Sequence, residues 1–371
     1  MKILFIGGTG RLSKDVASLS TMKENEVFLF TRGSKDRECF LKNSYKLIKG
    51  NIRDVENSIK TLENYKFDVI IDFLTFEVEQ LKNTLKIIEG KYNQYVFISS
   101  STVYINDNDE LISESRTKVG NEKWEYAHNK FLCEEYLKEY FSNRKEHYTV
   151  IRPYVTYGNT RVPYPLVPRN NLMEWSFIDR ILHNRPVPTF NKGETVTTLT
   201  HTRDFAKGVV GLFGNSKAFN EAFHITSDST TPWGEVLDTL ENILAIKITR
   251  IDFSVDKIIE TMPMYSSVLL GDKSKNMRFD NSKIKEAVPD YSCNISLKDG
   301  LSDMIDFYRG HKELQKIDYM WNGYVDRLCG CGNQFMTYKM DNIRDIGNYL
   351  IGNNPLIRKS YQLYSILRGR K

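Results

Sequence analysis

The chain has 371 residues, of which 40% are hydrophobic and 27% are charged, and its mean hydropathy is -0.45. These values are typical of a globular protein with a sizeable core, and they exclude a fibrous repeat or a largely disordered chain. The formal net charge of +5 lies in residues 311–371, which hold ten Lys and Arg against five Asp and Glu. The main body is therefore neutral and nucleic acid is not the expected partner. The basic end could contact nucleic acid, an anionic lipid surface or an acidic protein, although a solvated helix end is the commoner explanation.

Membrane and disulfide patterns are both missing from the sequence. The apolar run before Gly7 is too short for a signal peptide and nothing later approaches a membrane span, so we expect a cytoplasmic protein. Five cysteines are few and odd in number, which disfavours a disulfide framework. Cys329 and Cys331 lack a second pair of ligands at the usual spacing, so no metal site is expected. The other cysteines are Cys39, Cys133 and Cys293.

Short apolar runs alternate with segments of helical spacing through the first half of the chain. Strands are predicted at residues 2–6, 27–30, 46–48, 69–73, 95–98 and 148–151, and helices around 15–19, 78–88 and 124–141. This alternation predicts an α/β fold with a doubly wound parallel sheet and right-handed crossovers, and ligands bind at the carboxyl ends of such strands. We expect a Rossmann domain over residues 1–310, a smaller interleaved lobe over about 155–200 and 224–300, and a basic C-terminal extension over 311–371.

A glycine-rich turn follows the first predicted strand. Gly7, Gly10 and Ser13 occupy the three positions of a G-x-x-G-x-x-G pattern that leads into a helix. Glycines there let the backbone approach a pyrophosphate, whose charge is stabilised by free N–H groups and the helix dipole. The turn therefore predicts a dinucleotide site that also includes Thr9, Arg11 and Leu12, with an ordinary glycine-rich turn as the alternative.

The second predicted strand ends at Thr31, Arg32 and Gly33, where a carboxylate would normally bind the adenosine ribose of NAD. An arginine there can pair with the 2′-phosphate of NADP. The sequence therefore favours NADP without excluding NAD, and a surface arginine at a strand end is the alternative.

A phenol and an ammonium lie four residues apart in a helical segment. Tyr126 and Lys130 therefore share one face of that helix. A free tyrosine has a pKa of about 10, and a lysine cation together with a positive nicotinamide ring would move it towards the range of a useful base. Lys130 would also bind the nicotinamide ribose and fix the ring against the substrate.

These motifs together resemble the extended short-chain dehydrogenases/reductases, and within them the NAD-dependent epimerase/dehydratase family that acts on nucleotide-activated sugars. The resemblance spans roughly residues 1–310 and includes the segments 97–104, 126–130, 151–158, 200–206, 277–283 and 296–300. It implies that Ser100 joins Tyr126 and Lys130 as a catalytic group that hydrogen-bonds the reacting oxygen. A polar strand end that caps a helix is the alternative, and it fits Ser101 or Thr102 better than it explains the whole set of Ser100, Tyr126 and Lys130. The resemblance further implies cofactor contacts from Asn51, Ile52, Phe73, Leu74, Pro153 and Tyr154, and substrate contacts from Thr75 and Val155 beside Ser100 and Tyr126.

Several reactions stay open within this family. The 4,6-dehydratases carry an Asp-Glu pair after the catalytic hydroxyl, whereas Ser101 and Thr102 follow Ser100 here, so dehydration is disfavoured. The resemblance favours a sugar epimerase with transient oxidation at C4, and Arg32 makes an NADPH-dependent ketoreductase of a nucleotide-linked keto sugar the next expectation. Val155 stands where epimerases often place an asparagine.

A dinucleotide sensor or RNA-binding protein is a further alternative, although such proteins typically lose the Tyr/Lys pair. The family often forms homodimers through the helices that flank this pair.

Overall fold

The computed structural model describes residues 1–33, 45–332, 337–340 and 342–367. Cys39 and the terminal basic residues Arg368, Arg370 and Lys371 lie outside the described residues. The chain forms two compact units. The first consists of Met1–Gly158, Thr197–Thr230 and Lys275–Ile295, and the second of Asn159–Val196, Thr231–Ser274 and Ser296–Lys371.

The strands are β1 (Lys2–Ile6), β2 (Glu26–Thr31), β3 (Lys46–Lys49), β4 (Val69–Asp72), β5 (Gln94–Ile98), β6 (Leu111–Ile112), β7 (His147–Pro153), β8 (Val155–Tyr157), β9 (Val187–Phe190), β10 (Val196–His201), β11 (Glu221–Ile225), β12 (Thr230–Pro232), β13 (Arg250–Phe253) and β14 (Arg278–Phe279). The helices are α1 (Ser13–Met22), α2 (Val55–Thr61), α3 (Val78–Ile87), α4 (Glu125–Phe141), α5 (Trp175–Leu182), α6 (Thr202–Gly211), α7 (Trp233–Leu244), α8 (Val255–Thr261), α9 (Ser266–Val268), α10 (Ser282–Ala287), α11 (Leu297–Gly310), α12 (Tyr319–Leu328), α13 (Ile343–Asn353) and α14 (Pro355–Leu367).

Seven strands of the first unit form one sheet in the order β11-β7-β5-β4-β1-β2-β3. Every pairing along it is parallel, which confirms the predicted doubly wound α/β fold. The chain moves outward from β1 through β2 and β3, and then resumes on the other side of β1 with β4. Ile6 at the end of β1 lies opposite Phe30 of β2 and Asp72 of β4, so the loops after β1 and β4 begin at the same level. Ligands bind at such a reversal point in sheets of this kind.

Alternate residues of the central strands enter two cores, one on each face of the sheet. Ile3 and Phe5 pack with residues of α1 and α6, whereas Leu4 and Ile6 pack with residues of α3 and α4. Residues 3–6 are fully buried, as a strand covered by helices on both faces requires. This burial holds the loops at the strand ends on a rigid support.

The second unit is mainly helical, with β9 and β13 paired in parallel. Its buried centre is an ion pair in which Arg180 of α5 donates to Asp326 of α12 at 2.7 Å, and both side chains are fully buried. Helices α12 and α13 approach closely at Gly323, where a Cβ would lie 2.2 Å from the Tyr349 carbonyl oxygen. In the part of the chain that the structure describes, we find no helix long and apolar enough to cross a membrane.

Candidate functional site

The glycine turn after β1 is closed by a serine side chain. Gly7 has a φ of +85°, a conformation that favours glycine. The Ser13 hydroxyl donates to the Gly7 carbonyl at 2.8 Å and accepts from the Gly10 amide at 2.8 Å. The residue that replaces the usual third glycine thus holds both ends of the turn, and the partly exposed Thr9, Arg11 and Leu12 complete it.

The segment after β4 lies against this turn. A Cβ at Gly7 would be 2.5 Å from Leu74 Cγ, so glycine is required there by contact as well as by conformation. The Arg53 guanidinium donates to the Leu74 carbonyl at 2.5 Å and holds the segment in place. Asn51 accepts from the Arg53 amide at 3.2 Å, which brings the predicted adenine-contacting turn to the same region.

Three of the predicted cofactor contacts have side chains that also pack in the protein. Phe73 stacks on Phe5 with ring centroids 6.2 Å apart, Ile52 is buried in the core, and Tyr154 packs on Phe279 at 5.0 Å. Their predicted cofactor contacts stay predictions. Arg32 is exposed one residue beyond the end of β2, where it is accessible to a ligand phosphate.

Lys130 is buried and bound to backbone. Its amine donates to the Thr75 carbonyl at 2.5 Å and to the Ile98 carbonyl at 2.7 Å, so α4 is joined to the ends of β4 and β5. Burial lowers the pKa of Lys130 to about 8, although the negative charge of Asp72 opposes this shift. The amine is therefore mostly protonated at neutral pH, and small changes in its surroundings alter its charge.

Tyr126 lies in the first turn of α4, with its ring half-buried. The Lys130 amine is 6.0 Å from the centre of this ring, and the rings of Phe76 and Trp124 flank it with centroids at 6.3 Å and 5.5 Å. The helix therefore presents the phenol and the ammonium on one face, as their spacing predicts.

Ser100 follows β5 by two residues and is 7% exposed. Its hydroxyl oxygen accepts from the Thr102 amide at 3.3 Å and from the Thr102 hydroxyl at 2.9 Å. The capping side chain is thus that of Ser100, and not that of Ser101 or Thr102. Ser100 caps the short 3₁₀ turn Ser101–Val103, because its extended backbone places the side chain over the turn. Ser101 instead donates to the Arg152 carbonyl at 2.7 Å.

Beyond β7, Pro153 ends the strand and Val155 begins β8, which pairs with β10. Pro153 and Val155 are both buried, so the contacts predicted for them depend on small exposed portions of each residue.

A buried network behind Ser100 was not predicted from the sequence. Glu134 of α4 accepts from the Ser99 hydroxyl at 2.5 Å and from two nitrogens of Arg152 at 3.1 and 2.5 Å. Arg152 donates further to the Tyr104 hydroxyl at 2.9 Å, which lies 3.2 Å from the His224 ring. Burial lowers the pKa of His224 to about 4, so this histidine is neutral. The network ties α4 to β5 and β7 beneath the catalytic candidates.

Asp72, at the end of β4, was also missed as a site residue. Its fully buried carboxylate accepts four hydrogen bonds, from the Leu74 and Thr75 amides and from the hydroxyls of Thr75 and Tyr95. A carboxylate directly after three apolar strand residues was the signal that could have identified it.

Comparisons with known proteins identify the family and the fold. The model of the family described as "NAD dependent epimerase/dehydratase family" matches residues 3–225. An epimerase structure from Methanothermobacter thermautotrophicus is 15% identical with a TM-score of 0.69, covering 85% of this chain and 94% of that chain. UDP-glucuronic acid 4-epimerase from Bacillus cereus, in complex with NAD, is 18% identical with a TM-score of 0.66, covering 84% of this chain and 98% of that chain. These structural likenesses show the shared fold.

A curated relative has a different description. The chloroplast stem-loop binding protein of 41 kDa b from Arabidopsis thaliana is 27% identical over 238 residues, which are 61% of this chain. The match spans 59% of that protein's length. The family model covers the glycine turn, the strands that carry it, and the helix with Tyr126 and Lys130. The chain therefore belongs to the NAD-dependent epimerase/dehydratase family, as its resemblance to the extended short-chain dehydrogenases/reductases implied.

Proposed function

We propose that this chain is an enzyme that epimerises a nucleotide-activated sugar by transient oxidation at C4. The observation that carries the proposal is the buried Lys130 amine, which joins the helix of Tyr126 to the strand that leads to Ser100. Family membership supports the proposal, as do structural neighbours described as UDP-glucuronic acid 4-epimerase with NAD and UDP-glucose 4-epimerase with UDP-glucose.

Each of the three side chains has a distinct role in this proposal. The Lys130 charge favours the Tyr126 phenolate, which takes the hydroxyl proton of the sugar as the carbon loses its hydride. Ser100 uses its oxygen to accept from Thr102, and its own O–H can donate to the reacting sugar oxygen. Tyr126 would return this proton to the same sugar oxygen when the carbon is reduced again from its other face.

The residues present suit a nicotinamide dinucleotide, which would supply the hydride acceptor when bound. The turn after β1 leads into α1 and has no side chain at Gly7 or Gly10, and a glycine-rich turn before a helix suits a pyrophosphate. An ammonium has three donors, and two of those on Lys130 bind the carbonyls of Thr75 and Ile98. We assign the third to the nicotinamide ribose.

Turnover of a panel of nucleotide sugars by wild type and by Tyr126→Phe tests the proposal. We expect the loss of the phenol to reduce turnover by about 10²-fold or more, as removal of a general base does. Tyr136→Phe is the matched control, because it makes the same change on the same helix beside Lys82 and leaves the catalytic face intact. Equal turnover by Tyr126→Phe and wild type would overturn the proposal.

A ketoreductase is the second outcome of the same experiment. The exposed Arg32 suits the 2′-phosphate of NADP, the cofactor usual for one-way reduction. Mass spectrometry of small molecules retained by the purified chain distinguishes the two reactions. Retained NAD indicates the epimerase, because its cycle regenerates the cofactor in place. Empty protein or retained NADP indicates the reductase.

Binding of RNA stem-loops is a candidate of another class. The name of the Arabidopsis relative favours it, and the basic residues 311–371 could contribute. A gel-shift titration with a labelled RNA hairpin tests it across a range of salt concentrations. Tight binding together with no turnover of any sugar would favour this function over the epimerase.

A further inference from the structure

We propose that Asp72 is a positioning residue for Lys130, and that it acts through the Thr75 carbonyl and through its own charge. This inference rests on the proposed function, because Asp72 is assigned to position Lys130, which that function makes a catalytic residue. Asp72 is the last residue of β4, and it belongs neither to the glycine turn nor to the helix that carries Tyr126.

Asp72 holds the turn that follows β4. One carboxylate oxygen of Asp72 accepts from the Leu74 amide at 2.7 Å and from the Thr75 amide at 3.2 Å. The other accepts from the Thr75 hydroxyl at 2.6 Å. These three bonds fix the backbone of Thr75, and its carbonyl then accepts from Lys130 at 2.5 Å. The carboxylate thus determines where one of the two carbonyls that hold the amine is located.

Asp72 also links β4 to the neighbouring strand β5. Tyr95 of β5 donates its hydroxyl to Asp72 at 2.9 Å, so the carboxylate bridges the strands whose ends supply the two Lys130 acceptors. Burial and the charge of Asp72 raise the pKa of Tyr95 well above its usual value, so its hydroxyl stays a donor. All four groups around Asp72 are donors, which is the environment that an ionised carboxylate requires.

The charge of Asp72 also acts on the Lys130 amine. Burial lowers the pKa of Lys130, and attraction by Asp72 is the largest opposing effect, followed by Cys133 and Glu134. Glu134 is already paired with Arg152, and burial raises the pKa of the Cys133 thiol to about 12, so the thiol is neutral. Asp72 is therefore the charge that keeps the amine protonated in a water-excluded site.

Asp72→Asn tests the inference, because it keeps the size of the side chain and removes the charge. We expect the titration midpoint of Lys130 to fall by about 1 pH unit, from about 8 to about 7. At about pH 8.5 the protonated fraction of Lys130 should then be about eightfold below that of wild type, whereas at about pH 6 it should be nearly unchanged, so turnover should fall much further at the higher pH than the loss of one acceptor oxygen in the turn lowers it at both. Purely structural damage would instead lower turnover by the same factor at every pH.

Asp68→Asn is the matched control. It removes the carboxylate of the residue immediately before β4, whereas Asp72 is the last residue of that strand. The Asp68 side chain accepts from the Lys2 amide. We expect its pH profile to coincide with that of wild type. If Asp68→Asn shifts the Lys130 midpoint as far as Asp72→Asn does, the effect is a general one of net charge and the inference is overturned.

Direct titration of the Lys130 side chain separates this inference from the proposed function. The NMR resonance of the Lys130 Cε carbon is followed against pH in protein labelled with ¹³C at the lysine Cε. It is assigned as the resonance that is missing from Lys130→Met. A lower midpoint in Asp72→Asn supports the coupling even if no sugar is turned over, whereas an unchanged midpoint overturns it even in an active enzyme.

If Asp72→Asn does not fold, Thr75→Val provides the test. It removes one donor to Asp72 and keeps both the carboxylate and the Thr75 carbonyl. We expect the titration midpoint of Lys130 to fall, because the Thr75 carbonyl is held less firmly against the ammonium while the carboxylate keeps its charge. A midpoint equal to that of wild type would overturn the inference.

Discussion

The buried pair between Glu134 and Arg152 gives the sharpest prediction about stability. Both side chains are almost fully buried, and Glu134 accepts three hydrogen bonds, two from Arg152 and one from Ser99. Burial alone would lower the pKa of Arg152, but the attraction and hydrogen bonds of Glu134 and Tyr104 together more than offset it and raise the pKa. In Glu134→Ala the guanidinium would remain buried with the carboxylate gone, and the Ser99 hydroxyl would lose its acceptor.

We expect Glu134→Ala to reduce the free energy of unfolding by about 3 to 5 kcal/mol, the usual cost of leaving a buried charge without its partner. The next residue provides the control. Glu135 pairs with Lys138 on the exposed face of the same helix, and its side chain is 47% exposed. Glu135→Ala should therefore cost no more than about 0.5 kcal/mol.

Urea unfolding of the three proteins, followed by circular dichroism, measures both costs. The double variant Glu134→Leu with Arg152→Met adds a second comparison, because apolar replacement of both partners removes the unpaired charge. We expect it to be more stable than Glu134→Ala. The reasoning is refuted if Glu134→Ala and Glu135→Ala unfold at the same urea concentration, or if the double variant is the least stable of all.

Three further predictions concern the turn, the amine and the second unit. Gly7→Ala should weaken dinucleotide binding and destabilise the chain more than Gly90→Ala, because both have positive φ but only Gly7 would collide with Leu74. Fluorescence titration with NADH or NADPH and thermal melting measure the two effects. Lys130 has a lower pKa folded than unfolded, so between about pH 8 and 10.5 the unfolded chain binds more protons and stability rises with pH. This rise, at most about 3 kcal/mol, should be absent in Lys130→Met when urea unfolding is compared across that range. Asp326→Ala should cost about 3 to 5 kcal/mol, because Arg180 would stay buried and two tyrosine hydroxyls would lose their acceptor. Asp306→Ala, which removes an exposed partner of Arg309, should leave the melting temperature nearly unchanged.

The parallel sheet could be predicted from local patterns because its central strands are continuous apolar runs. Every run predicted as a strand in the first half forms one, and the helices expected around 78–88 and 124–141 are α3 and α4. The edge strand β11 was not predicted. Its residues include Glu221 and the buried His224, whose ring nitrogens lie near Tyr104 and the Asp280 carbonyl. A polar residue buried by distant partners leaves no signal in the periodicity of its own segment.

The catalytic candidates could be predicted because their spacing is local, whereas the groups that hold them could not. Four residues on a helix place Tyr126 and Lys130 on one face without reference to the rest of the chain. The two carbonyls that accept from Lys130 are 55 and 32 residues away in the sequence. Tyr95, which donates to Asp72, is 23 residues away from it. The sequence pattern placed Ser13 at the third position of the glycine-rich turn. The structure adds a role that the pattern does not convey, since the Ser13 hydroxyl closes the turn.

The partners of the Lys130 amine are main-chain oxygens, and this affects how the chain can evolve. Any amino acid at position 98 supplies a carbonyl, so drift in that side chain does not by itself remove an acceptor. Position 75 also supplies a carbonyl, and its hydroxyl helps to hold the turn that presents it. The location of the charge is therefore set by the backbone of β5 and of the turn after β4. Substrate preference can diverge among descendants of such a protein while the amine remains in place.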